Sequence, residues 1–306
     1  PLGRYYMGHL YGIAAEMVLD NPAIDAGINY FAAPDGHYIR RRFTPSAALV
    51  RNEGLSNASF MPDYPLIRDP AHRNGIMSLA YLALSVPPLG RALVTESIRQ
   101  NYVGDNIRRW PHIRNLLRDL PRTAMFVPSF FYHRHMVSHP RPGFFQRDPR
   151  RQYAVRFHAE HLPNPDSRVT LSNRADSHGL PRLRIDLRYS AADADRLVRT
   201  HECFAAWLRR TGTGTMKWLV PDEQRADCIL SQCYDGHHQI GTTRMGATPQ
   251  SGVVDKNCQV FGSANLFIAG SSVFPTSGEA NPTLNAVALA LRLADHLAAE
   301  TAKVTP

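Results

Sequence analysis

The sequence predicts an α+β fold: an antiparallel sheet with one face covered by helices. Two patterns point there. Short runs alternate between two faces at Tyr153–His158, Ser167–Leu171 and Leu183–Leu187, as strands with one covered side do. Helical spacing of apolar residues fills the stretch from Pro70 to about Leu120 and returns from Ala191 to Arg209.

Taken in order, residues 1–45 open with an apolar run. They then alternate through Ile28–Phe31 and His37–Ile39 around the turn residues Pro34-Asp35-Gly36, a hairpin pattern. Residues 45–64 are polar and broken by Pro45, Gly54 and Pro62, which reads as loop. Ile76, Leu79, Leu82 and Leu84 form a helical set stopped at Pro87-Pro88, and further helical runs cover Leu93–Tyr102 and Ile113–Leu120. Residues 121–150 are rich in proline, arginine and aromatics and read as a connector. Its His133, His135 and His139 have metal-like spacing but no carboxylate among them, so they read as solvated surface, with no metal expected. Ser190 caps the helix of 191–209, with Asp193 in its first turn. The TGTGT at 211–215 follows a helix and lacks a third glycine, so it reads as a helix end and loop rather than a phosphate cradle.

The 306 residues are enough for two domains, and 43% hydrophobic with 20% charged residues is a globular composition. The net charge of +9 comes from arginines scattered along the chain. Without aromatic-interleaved basic motifs, it does not argue for nucleic acid. Cys203, Cys228, Cys233 and Cys258 form no CxxC pair, which favours free thiols and a reducing, cytoplasmic setting. No apolar run reaches the roughly 18 residues of a membrane span.

The most informative stretch runs from Tyr234 to His296. His237 and His238 precede Gly241-Thr242. A short apolar run, Leu266–Ala269, enters Gly270-Ser271-Ser272 as a strand, and Asn281-Pro282 opens a long apolar helix. Asn281 suits an N-cap and Pro282 the first helical position. The helix is apolar nearly all round, which predicts burial. Its N-terminus can face an anion or an electron-rich acceptor, or simply be a capped core helix. Either histidine can be structural or a base matched to neutral pH. Spacing alone leaves both questions open.

HHQIGTTRMG, GVVDKNCQVFGSANLFIAGSSVFPT and ANPTLNAVALALRLADHL resemble the C-terminal hallmark of the glucose–methanol–choline (GMC) family of FAD-dependent oxidoreductases. GRYYMGH, with Gly8 where an acidic residue is common, resembles the segment that leads out of the family's flavin domain. PNPDSRVTLSNRADSHGLPRLRIDLRYSAAD resembles its substrate-domain sheet, whereas 65–150 looks lineage-specific. The resemblance implies a substrate-binding domain over 1–228, with 65–150 as a helical and loop insertion. It makes 229–306 the C-terminal part of a Rossmann-like FAD domain. It implies His238 as the base that takes the substrate hydroxyl proton and Asn281 as its partner. Gly270, Ser271, Pro282 and Thr283 would approach the flavin through backbone atoms, with His237 behind the base.

The family's GxGxxG fingerprint is absent from the 306 residues. The resemblance therefore implies a second, FAD-binding half, from a split or cleaved enzyme, and without it the last helix would expose its apolar face. The implied activity is oxidation of an alcohol, a sugar or glycoside secondary hydroxyl, to a carbonyl. The alternatives are a non-sugar alcohol as substrate, or a non-catalytic binding chain that has lost its flavin.

Overall fold

The computed structural model describes residues 1–64, 67–233 and 238–304. The chain opens with β1 (His9–Leu19) and the short helix α1 (Pro22–Gly27). The predicted hairpin follows, as β2 (Phe31–Ala32) and β3 (Tyr38–Ile39). Next come α2 (Ala47–Glu53) and β4 (Ala58–Asp63), where the sequence reads as loop. Two local devices account for the difference. The Ser46 side chain caps α2 and Gly54 ends it in the left-handed region. Pro62 is tolerated in β4 because β4 lies at a sheet edge.

A helical layer follows: α3 (Gly75–Leu84), α4 (Pro87–Leu93), α5 (Glu96–Val103), α6 (Arg109–Arg118) and α7 (Leu120–His135). α3, α5 and α6 match the predicted helical runs, whereas α4 begins at Pro87-Pro88, read as a stop, because proline is tolerated in the first turn of a helix. α7 corrects the connector reading, because it runs sixteen residues with Pro128 inside it. Tertiary packing overrides the proline signal here. α7 lies against α3, and Phe126 and Phe130 each pack their rings against Phe144 at 5.3 Å. No single helix among the described residues is long and apolar enough to cross a membrane. α3 and α4 reach that length only together, and they are bent by 107°.

The chain then forms β5 (Gln152–Glu160), β6 (Arg168–Ala175), β7 (Pro181–Asp186), α8 (Ala191–Arg210), β8 (Gly214–Trp218), α9 (Arg225–Leu230) and finally α10 (Thr283–Val304). β4, β5, β1 and β8 make one antiparallel sheet in that order, while β6 and β7 form a separate two-stranded ribbon. The predicted antiparallel sheet is therefore divided. Its last strand, β8, uses residues that the sequence shows only as a glycine-rich loop.

The two faces of the sheet differ. One packs on α8 in the main core, where Leu10, Phe60, Phe157, Leu197, Phe204 and Leu208 meet. α8 starts at a capping box between Ser190 and Asp193. The opposite face is polar. Register puts Tyr11 and Ser59 on either side of His158, and Ile13 and Met61 on either side of Arg156. Buried Arg156 pairs with Asp63 and hydrogen-bonds the hydroxyl groups of Tyr11 and, at 2.7 Å, Tyr102 of α5. This network ties the helical layer to the polar face.

Residues 245–293 build a small separate core around Val254, Cys258, Val273 and Leu293. Leu266–Ala269 is not a strand. Its only ladder contact among the described residues is the isolated bridge Gln259–Phe267, and hydrogen bonds from Val260 to Leu266 and from Ile268 to Cys258 hold it in a compact loop. α10 is also not buried: Leu293 is, but Leu284, Val287 and Leu291 are 79%, 52% and 64% exposed.

Candidate active site

A backbone bridge places His238. Met7 and Ile240 exchange both backbone hydrogen bonds, at 2.9 and 3.0 Å, and Gly3 donates to Thr242 at 2.8 Å. Gly241 makes this docking possible. Its φ is +93°, and a Cβ there would lie 2.3 Å from the Tyr5 carbonyl oxygen, so any other side chain would be both strained and blocked. His238 is thereby brought to the start of β1, against its polar face.

There it meets two histidines that sequence reasoning missed. The His238 ring lies edge-on to His9 at 4.9 Å and 5.8 Å from His158, and His9 and His158 are 4.2 Å apart. His9 and His158 lie on adjacent strands and on the same face, two residues off being directly opposite, since Tyr11 is the residue that faces His158. No local motif links positions 9, 158 and 238. The signal available was the two-residue alternation that puts both strand histidines on one face of the sheet.

Burial dominates their electrostatics. It lowers the pKa of His9 to about 4 and that of His158 to about 3, with the neighbouring imidazoles adding to the effect. Both rings are neutral near pH 7. Neither ring nitrogen of the fully buried His9 has a partner in normal hydrogen-bond geometry, although the backbone of Gly278 and Ala159 faces it closely enough to offset part of the shift. The Glu279 backbone borders His158 in the same way. Burial also raises the Tyr11 phenol, which stays protonated beside Arg156.

The loop from Gly270 to Asn281 borders the same place. Ser271 Oγ donates to the Gln239 carbonyl at 2.8 Å, and Thr243 Oγ1 to Ser272 Oγ at 2.7 Å. These bonds fix the Gly270-Ser271-Ser272 turn beside the residues that follow His238. Further on, Ser277 exchanges hydrogen bonds with the backbone of His161, which anchors the loop to the end of β5. The structure thus gathers His238, the Gly270–Ser271 turn and the backbone of Gly278 and Glu279. Asn281 follows two residues later, exposed and with no hydrogen bond among the described residues.

α10 starts one residue later than the sequence suggests. The Pro282 carbonyl accepts the first helical bond, from Ala286, so Pro282 occupies the cap position and Asn281 precedes it. His237 lies outside the described residues. His133, His135 and His139 do not converge, and His133 instead binds the Ser129 carbonyl within its own helix.

Residues 163–290 match the family model described as GMC oxidoreductase. A C-glycoside 3-oxidase of Arthrobacter globiformis is 37% identical over 146 residues, covering 47% of this chain and 26% of that protein. A 6'''-hydroxyparomomycin C oxidase of Streptomyces lividus is 34% identical over 158 residues, covering 47% of this chain and 25% of that protein. Among solved structures, a formate oxidase of Aspergillus oryzae, from a study of FAD modification, aligns over 98% of this chain and 47% of its own with 15% identity and a TM-score of 0.43. Over residues 163–290 the chain is thus similar to the C-terminal part of the GMC oxidoreductases. It spans about a quarter of the length of these curated relatives.

FAD is the cofactor of that family, and the residues present fit it. Gly270 has φ +144° with open space where a Cβ would point, so a flat ring can approach its backbone. The first turn of α10 carries no acidic side chain that would oppose an electron-rich group. Its exposed Leu284, Val287 and Leu291 offer an apolar surface beside that end. Each of Gly270, Ser271, Pro282 and Thr283 lies on one of these two elements.

Proposed function

We propose that this chain supplies the substrate side of a GMC active site, oxidising the secondary hydroxyl of a sugar or glycoside to a carbonyl. The observation that carries the proposal is the locked placement of His238. One backbone clamp, at Met7–Ile240 and Ser271–Gln239, holds the imidazole against the polar sheet face and next to the open Gly270 turn. A ring nitrogen of His238 takes the hydroxyl proton, a task suited to an imidazole near neutral pH. Asn281, on the loop that runs past Glu279, holds the substrate oxygen with its amide without competing for that proton. Bound FAD would supply the acceptor for the hydride that leaves the hydroxyl-bearing carbon. The α10 N-terminus and the Gly270–Ser271 backbone would hold the FAD ring and offset negative charge on it.

The sugar reading rests on two supports. The polar face next to His238 offers His158, Tyr11 and Ser59 in one row across three strands, which suits a ligand with several hydroxyls. Two relatives that share over a third of their aligned residues with the chain are named as oxidases of a glycoside and of an aminoglycoside.

In this reading residues 1–228 form the substrate-binding domain, with 65–150 as its insertion, and 229–306 belong to the FAD domain. A dinucleotide-binding half, from a second chain or from a longer polypeptide, covers the apolar face of α10 and holds most of the FAD. The four free cysteines suit a reducing compartment, the cytoplasm.

The test is anaerobic bleaching of the flavin band by a panel of substrates, with the carbonyl product located by NMR. Glycosides should bleach the flavin faster than simple primary alcohols. Equal bleaching by both would remove the sugar assignment, and no bleaching by any alcohol would remove the oxidoreductase reading.

A further inference from the structure

We propose that His9, His158 and His238 form a binding site for a borderline divalent cation of the zinc type, and that the bound ion switches the base off. The proposal rests on the reading of His238 as the base. Each of the three residues offers one ring nitrogen, and these nitrogens all lie within 4.8 Å of one another. Zinc holds imidazole nitrogens at about 2.0–2.1 Å, so two of them on one tetrahedral ion sit about 3.4 Å apart. Small side-chain rotations close that gap.

The backbone needed to hold such a trio is already fixed. His9 and His158 sit on hydrogen-bonded neighbouring strands of the central sheet, and His238 is held by the Met7–Ile240 bridge. His9 supplies the second, independent observation. It is fully buried, and neither of its ring nitrogens has a partner in normal hydrogen-bond geometry, an arrangement a metal bond would satisfy.

The donor set selects the ion class. Three imidazoles without a carboxylate favour zinc, copper, nickel or cobalt over magnesium or calcium. Three protein ligands leave a fourth position for water or a substrate oxygen. Once His238 donates its lone pair to the ion, it cannot take a proton from the substrate. The ion therefore inhibits by occupying the base and has no part in the oxidation.

The experiment titrates Zn²⁺ alone against a chromophoric chelator at pH 7.5, using the full chain and the flavin-loaded enzyme. One equivalent should bind, and His158→Gln and His238→Gln should each weaken binding at least tenfold. His133→Gln and His135→Gln should leave it unchanged. Because His9→Gln changes a fully buried ring, His158→Gln, at a partly exposed one, carries the decision. Co²⁺ in place of Zn²⁺ should give the visible bands of a four-coordinate ion, and His158→Gln should abolish them.

Absence of a bound equivalent, or binding that survives in both His158→Gln and His238→Gln, overturns the site. The two readings fail separately. Tight Zn²⁺ binding by the unmodified protein, together with normal flavin reduction in His238→Ala, keeps the metal site and removes the base. No Zn²⁺ binding with reduction lost in that variant does the reverse.

Discussion

The two ends of this chain treat apolar surface in opposite ways. Around the sheet, α8 and the strands close a core in which Leu10, Phe157, Leu197 and Leu208 are fully buried, and on the other face Arg156 pairs with Asp63, Tyr11 and Tyr102. In the C-terminal segment, a smaller core buries Leu293, but Leu284, Val287 and Leu291 on the same helix stay open. One region closes its apolar surface within the chain; the other leaves part of it open. In the proposed reading this exposed apolar face of α10 is where the dinucleotide-binding half docks. His238 and Gly270 lie where the two regions meet.

If the first region is closed, damage inside it should be costly. Arg156 and Asp63 are an ion pair buried between the sheet and α5, and removing one partner strands the other. Arg156→Ala should cost about 3–5 kcal/mol of unfolding free energy in urea. A loss below about 1 kcal/mol would show that the helical layer is held by something else.

A smaller, graded effect follows from the buried histidines. Burial lowers the pKa of His9, His72 and His201 to about 4 and that of His158 to about 3, from 6.5. As pH falls below 6.5 the unfolded chain takes up protons that the native chain refuses. Their contribution to stability is therefore complete above pH 6.5 and is lost as pH falls towards 4 and then 3. The melting temperature should drop over that window. His201→Phe should flatten the slope, because this ring sits in the closed core against Phe60 and Trp218, at 4.6 and 4.9 Å. A melting temperature independent of pH from 7 to 4 would contradict the assignment.

The open region predicts the smallest effect on the chain's own stability. Leu291→Asp, on the exposed face of α10, should change unfolding free energy by less than about 0.5 kcal/mol. It should still weaken association with the dinucleotide-binding half at least tenfold, as measured by analytical ultracentrifugation. A large loss of stability in the isolated chain would mean that this face is already covered.

The sequence made elements of strong local pattern readable: three of the four helices between 75 and 118, the capped helix α8, and the hairpin at Pro34-Asp35-Gly36. It misled where tertiary context decided. β4 was hidden by Pro62, which only an edge strand tolerates, and α7 by Pro128. β8 was hidden by the glycines that let it lie against β1, where a Cβ on Gly214 would be 2.1 Å from the Val18 carbonyl oxygen. In the candidate site, motifs marked His238, Gly270 and Asn281, because those residues sit in contiguous signatures. His9 and His158 were not legible, since only strand register brings positions 9 and 158 together.

The central claim is that His238 removes the substrate's hydroxyl proton. The direct measurement is the anaerobic rate of flavin reduction by substrate in the FAD-loaded enzyme, comparing the unmodified protein with His238→Ala. Loss of a positioned general base predicts a fall of about 10²–10⁴-fold, with flavin content unchanged. An equal rate in both would show that His238 is not the base.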